Sequence, residues 1–186
     1  MTTWVALLRG INVGGNRTIA MPQLKAVFER LGFDAVKTYI NSGNVIFRTK
    51  AGDRKRLTTK IEKAIEEDFG TPVAIVLRDL PELERLLAKI PDDWVNDKTW
   101  RCDVMFLWPQ FDRKAVLREF PINPDIEDVR YLPGAVVWHI AAKDVTKSRR
   151  NKMFGTPLYR GLSIRNVNTV RKLAQLMQEA ADQAAS

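Results

Sequence analysis

The chain has 186 residues, 45% of them hydrophobic, and a net charge of +8. Such a length buries a sizeable core in one large domain or two small ones, and the composition excludes fibrous, disordered and membrane-spanning classes. The longest apolar runs, residues 104–108 and 135–138, fall far short of the ~20 residues that a spanning helix needs. The first residues show no basic segment ahead of an apolar one, so no signal peptide is read and a cytoplasmic protein is expected.

Residues 4–8 read as a first strand with little polar alternation, as in a strand covered on both faces or lying centrally. The glycine-rich turn Arg9-Gly10-Ile11-Asn12-Val13-Gly14-Gly15-Asn16 follows. Gly10, Gly14 and Gly15 take positive φ at no steric cost and let backbone N–H groups approach an anion. The spacing matches neither the dinucleotide fingerprint nor the phosphate loop. Met21-Pro22 opens a helix with Leu24, Val27, Phe28 and Leu31 on one face, ended by Gly32. Residues 35–40 and 44–48 are strands joined by the hairpin Asn41-Ser42-Gly43. Asp53 caps a helix whose apolar stripe is Leu57, Ile61, Ala64, Ile65 and Phe69, closed by Gly70. Residues 72–77 make the next strand.

The order through residue 78 is β-α-β-β-α-β, the split βαβ or ferredoxin-like pattern. Its sheet is antiparallel in the order four-one-three-two, so the loop leaving the first strand and the hairpin leaving the second emerge at the same end. Arg9, Asn12, Asn16, Asn41, Ser42 and Asn44 are therefore expected at one rim.

Residues 79–90 read as a helix and 91–99 as a polar linker. A strand is expected over 101–108, a short helix over 112–120, and two strands over 126–131 and 135–140 about Pro133-Gly134. Helical signals resume near Lys147. The last helix spans 168–185, with Val170, Leu173, Ala174 and Met177 inward. The expected fold is thus α+β, two ferredoxin-like units with antiparallel sheets in a duplicated architecture: residues 1–78, a connecting helix and linker over 79–99, and residues 100–186.

Cys102 and His139 are the only cysteine and histidine. A single cysteine forms no intrachain disulfide, in keeping with a reducing compartment. Together they exclude zinc sites built from several Cys and His ligands, and no metal site is expected. His139 reads as an ordinary strand histidine before a catalytic base, and Cys102 as buried packing. The carboxylates Asp92, Asp93, Asp125, Glu127 and Asp128 read as surface charge, with no apolar setting to raise a pKa for acid catalysis.

Residues 143–172 hold nine of the 30 basic side chains and only Asp144 among the acidic ones, which places the whole net charge there. Such a field attracts polyanions or phosphorylated ligands, or else it is a solvated basic face. Within this stretch Ser148-Arg149-Arg150-Asn151-Lys152 places Ser and Lys one residue too far apart for the S-x-x-K signature. Asn168-Thr169 reads as an N-cap, and Arg165-Asn166 just before it suits either capping alone or an anion. The third strand has one aromatic residue and lacks the consensus whose rings stack on bases, so nucleic-acid binding would act through backbone charge.

In combination, residues 7–15, 21–24, Gly32-Phe33, residues 38–45, Ser148-Arg149 and residues 165–170 resemble the bacterial domain-of-unknown-function 1697 family over nearly the whole chain. The resemblance implies an α+β protein of two ferredoxin-like units. It implies no activity, cofactor or catalytic residue.

The expected function is binding of, or catalysis on, a phosphate-bearing small ligand. The candidate residues are Arg9, Gly10, Asn12, Gly14, Gly15, Asn41, Ser42 and Asn44, with Ser148, Arg149, Arg165, Asn166 and Asn168 from the second half. The alternatives are nucleic-acid or other polyanion binding through residues 143–172, and an interaction module whose polar motifs fix turns and helix caps.

Overall fold

A computed structural model describes residues 1–12 and 18–183. The chain divides into two compact units, Met1–Leu83 with the segment from Lys172 onward, and Glu84–Arg171.

The first unit contains β1 (Thr2–Leu8), α1 (Met21–Arg30), β2 (Asp34–Tyr39), β3 (Asn44–Thr49), α2 (Arg54–Phe69) and β4 (Ile75–Asp79), which leads directly into α3 (Leu80–Leu87). Its sheet has the order β2-β3-β1-β4, antiparallel throughout, as the ferredoxin-like pattern requires. Helix α1 begins at Met21-Pro22, where the missing proline N–H costs nothing, and buries Leu24, Val27 and Phe28. Helix α2 begins where the Asp53 carboxylate accepts the Arg56 N–H at 3.0 Å and ends at Gly70, in the left-handed conformation at φ 64°. Both caps are those the sequence signals.

Trp4, Ala6 and Leu8 of β1 join Val45, Phe47, Ile75 and Leu77 in a core closed by α1 and α2. The alternate residues Val5, Leu7, Ile46 and Val76 are buried too. That accounts for the uninterrupted apolar run of β1, which is central and covered on both faces. Strand β4 starts later than residues 72–77 suggest. Pro72 has no donor for a ladder, and the Ile75 N–H goes to Glu62 Oε1 at 2.9 Å.

The second unit runs through β5 (Trp100–Leu107), β6 (Glu127–Leu132), β7 (Ala135–Ala141), the one-turn α4 (Pro157–Arg160) and β8 (Leu162–Asn166) into α5 (Val167–Asp182). The sheet order is β6-β7-β5-β8. Met105, Leu107, Val136, Trp138, Ile140 and Leu162 line its core.

Two expectations are corrected here. The helix expected over 112–120 is a 3₁₀ segment, Lys114–Glu119, after a shorter one at Pro109–Phe111. Asp112 parts them, its carboxylate accepting from Tyr131 Oη at 3.0 Å and Gly134 N at 2.9 Å. The stretch near Lys147 is likewise two 3₁₀ segments, Ala142–Lys147 and Arg150–Met153.

The two units correspond position by position. Leu8 N donates to Gly43 O at 2.8 Å, and Leu107 N to Gly134 O at 3.0 Å. Arg9 N donates to Ala74 O at 3.0 Å, and Trp108 N to Gly161 O at 3.1 Å. Arg78 stands across from Val5 and Arg165 across from Val104; each is only 8% exposed. Each donates Nη1 to the preceding carbonyl, at 2.9 and 2.8 Å. Asp79 and Asn166 follow them, each side chain accepting the N–H three residues on, at 2.9 and 2.8 Å. Among the described residues no helix is long and apolar enough to cross a membrane.

Candidate functional site

At the end of β1 the chain is held from both sides, through Leu8 N to the β2–β3 hairpin and through Arg9 N to Ala74. Gly10 is exposed at φ 67°, the left-handed region expected of it. Ile11 is buried, and Asn12 turns the chain at φ 54°. The Asn12 side chain then does three things. Its Nδ2 donates to Ile19 O and to Asn41 O, each at 2.9 Å, and its Oδ1 accepts Ile19 N at 2.8 Å. One amide therefore closes the loop base at Ile19 and fastens that base to the hairpin. Arg9, Gly10 and Asn12 stand with residues 41–44 at one end of the first sheet.

The hairpin tip spans residues 40–43. Gly43 sits at φ 77° so close to the loop that a Cβ there would lie 2.7 Å from Ile11 Cδ1 and 2.8 Å from Leu8 Cβ. Asn44 is fully buried, its Nδ2 donating to Tyr39 O at 2.9 Å and Ser42 Oγ at 3.1 Å. Asn41 is exposed. Ile40, expected as the last residue of a strand, instead holds φ 50° with 48% of its surface exposed. A β-branched residue in this region is strained, and such strain concentrates at ligand sites and switches. No motif marks Ile40 in the sequence; the signal is the backbone angle itself. Gly14 and Gly15, and Asn16 beside them, lie outside the described residues.

In the second unit most of the candidate side chains are bonded within the protein, Arg149 excepted. Ser148 Oγ accepts Arg150 N at 3.1 Å, so the hydroxyl serves a turn. Arg149 is exposed, whereas Arg150 pairs with Asp103 and lies over the Trp138 ring at 5.8 Å. Arg165 is buried in β8, and burial pulls its pKa down to about 10. The N-cap expected at Asn168 falls two residues earlier. Helix α5 starts at Val167 because residues 162–166 form a strand that brings Asn166 to the capping position. Asn168 reaches away from the helix, exchanging hydrogen bonds with the Asn96 backbone at 2.8 Å through Nδ2 and 3.3 Å through Oδ1.

Part of the basic stretch is engaged as well, while Lys143, Arg149 and Lys152 are exposed. Lys147 binds Asp144 at 2.8 Å, Arg160 Nη2 donates to Gly155 O at 3.0 Å, and Arg171 to Pro91 O at 3.1 Å. The carboxylates are not uniformly surface charge: Glu127 is 6% exposed, and its Oε2 accepts Asn123 N at 2.7 Å to close the turn before β6.

An aromatic stack in the second unit escaped sequence reasoning. His139 lies between Trp94, at 4.5 Å and 5°, and Trp100, at 4.6 Å and 21°. Arg130 covers Trp94 at 4.2 Å and binds Asp128 through two bonds of 2.9 and 2.6 Å. Burial lowers the His139 pKa, against the raising fields of Asp128 and Asp93 and with that of Arg130. His139 stands across from Cys102 in the β5–β7 ladder. The two do not make a nucleophile and base, since burial, with Asp103 beside it, pushes the fully enclosed Cys102 thiol up to about 12. Among the described residues no group of three His, Cys, Asp or Glu side chains can hold a metal ion.

The sheets define a protein of two ferredoxin-like units. The chain belongs to the family described as protein of unknown function (DUF1697), whose profile matches residues 1–138. That span includes the rim of the first unit and stops short of Ser148, Arg149 and residues 165–168. A similar solved structure is that of the conserved bacterial protein SP0830 from Streptococcus pneumoniae. It is 26% identical, with a TM-score of 0.81 over 95% of this chain and 98% of that one. No curated protein matches the chain.

Proposed function

We propose that the rim of the first unit binds a phosphate-bearing small ligand. Arg9, Gly10, Asn41 and Ser42 are the contacting groups, and Asn12 and Asn44 the residues that hold them in position. The observation that carries this reading is the Asn12 amide, which spends its hydrogen bonds on fixing the loop base against the hairpin. Groups held in position before binding lose less conformational entropy when a ligand engages them. The second unit acts as an internal control. At the same ladder position, Asn44 across from Leu7 corresponds to Ala135 across from Phe106, and Arg9 corresponds to Trp108. The fold itself therefore does not call for a polar rim.

The polyanion reading through residues 143–172 draws less support, because Lys147, Arg150, Arg160 and Arg171 are bonded within the protein and Arg165 is buried, which leaves Lys143, Arg149 and Lys152 as its exposed cations. Thermal-shift and calorimetric titration with inorganic phosphate, a sugar phosphate and nucleoside mono- and diphosphates tests the proposal. At least one is expected to stabilise the protein, and Arg9→Ala to abolish the shift. No stabilisation by any of them, or a shift indifferent to Arg9→Ala, refutes it.

A further inference from the structure

At the other end of the first sheet a cleft of about 440 Å³ opens between the end of α1, the end of β3 and the first turns of α2. Thr49, which lines it, pairs with Thr2 at the start of β1, whereas the rim lies beyond Leu8. The volume falls within the range of small-molecule sites, ~300–1,000 Å³. Its walls are held by contacts within the protein. Phe33 stacks on Phe47 at 4.6 Å and 27°, and Phe28 packs against both, at 6.0 and 5.3 Å. Lys60 Nζ lies 5.3 Å from the Phe33 ring centre. Phe33 lines the cleft while only 7% of its surface is exposed, so what it offers is a small apolar patch. Leu57 adds apolar wall.

Donor and acceptor capacity in the cleft is unequal. Lys60 carries three N–H donors and spends one on Leu31 O at 3.0 Å. Arg56 carries five; its side chain is 89% exposed, with Asp53 Oδ2 3.5 Å from Nε. Thr49 Oγ1 accepts from Ala51 N at 3.1 Å, which leaves its O–H to donate. The one carboxylate, Asp53, already receives the Arg56 N–H through Oδ1. What remains over is donor capacity beside an apolar floor, and that combination suits an anion with an apolar body.

We propose that this cleft is a second binding site, separate from the rim, for a small aromatic carboxylate or aryl phosphate, the acid group held by Lys60 and Arg56 and the ring laid against Phe33 and Leu57. Amide NMR titration with 2-naphthoate tests it, with neutral 2-naphthylmethanol and inorganic phosphate as controls. The amides of Gly32, Phe33, Ala51 and Gly52 are expected to shift together, with a Kd below about 1 mM. The neutral analogue and Lys60→Met, which keeps the apolar stem, should each weaken binding at least about tenfold. Gly52→Leu should block it, and folds unhindered because a Cβ at Gly52 meets nothing within 4 Å. Scattered shifts, equal binding of the neutral analogue, or binding indifferent to Lys60→Met and Gly52→Leu overturns the proposal. Phosphate acting at the rim moves Gly10 and Asn41 instead, so the two sites fail separately.

Discussion

Gly43→Ala probes the contact that seats the loop after β1 on the hairpin. At φ 77° an alanine takes the left-handed penalty, about 1–2 kcal/mol. Its Cβ would also lie 2.7 and 2.9 Å from Ile11 Cδ1 and Cγ1 and 2.8 Å from Leu8 Cβ. Leu8 belongs to a central strand bonded on both sides, so it cannot yield cheaply, and overpacking of this kind costs a further ~1–3 kcal/mol. Gly70→Ala is the matched control, since its φ of 64° carries the same backbone penalty while nothing lies within 4 Å of the added methyl. Both substitutions also narrow the unfolded ensemble by the same small amount. The difference between the two variants in urea denaturation therefore isolates the steric part, expected at about 1–3 kcal/mol. Ile11→Val, which removes the nearest carbon, should recover part of the loss in the Gly43→Ala background. Equal destabilisation of the two glycine variants, within about 0.5 kcal/mol, would refute the close approach of Gly43 to Ile11 and Leu8.

Three further outcomes follow from single residues. Ile40→Asn should stabilise the protein by about 1 kcal/mol in urea denaturation, because asparagine accepts the left-handed region that isoleucine resists; destabilisation would place the rim strain elsewhere. Cys102, enclosed and raised to about 12, should fail to react with an aromatic disulfide reagent until denaturant is added, and native-state labelling would contradict its burial. For His139 the folded pKa lies below the ordinary 6.5 because burial disfavours the cation. Its contribution to stability is thus present above 6.5 and lost as pH falls through the folded value. The urea midpoint of the wild type should drop relative to His139→Phe, which keeps a stacking ring without a proton, between about pH 7 and pH 5. Parallel pH profiles for the two proteins would contradict that sign.

The first sheet was legible because its signals are local. Asp53 and Gly70 bracket α2, Pro22 and Gly32 bracket α1, and the spacing of apolar residues fixes the buried faces between them. The second unit resisted because its connections are 3₁₀ turns, too short to show helical periodicity, and because β8 is only five residues long and buries Ser163 and Arg165 along with Leu162. A buried arginine in a strand reads as surface in a sequence, and only the ladder to Val104 reveals its place. The same limit hid the stack of Trp94, His139 and Trp100. Its members come from a loop and two strands, 45 positions apart from first to last, and no spacing rule joins them.

The rim shows why residue type alone overstates function. Asparagines, glycines and arginines gathered at one end of a sheet suggest ligand contacts equally, yet the structure divides them by what their polar atoms already do. The amides of Asn12 and Asn44 are consumed in holding the loop and the hairpin, and Asn166 in capping α5. Comparison of the two units makes the division sharper. The backbone bonds from Leu8 to Gly43 and from Leu107 to Gly134, the buried arginines Arg78 and Arg165, and the caps Asp79 and Asn166 occur in both, so they are what the fold requires. Asn44 has Ala135 as its counterpart and Arg9 has Trp108, so the fold does not require those two. Burying an amide where a methyl suffices costs desolvation that its bonds must offset. The hairpin accepts this arrangement only in the unit whose tip carries the exposed, strained Ile40, and the proposal of a ligand at that rim rests on this difference.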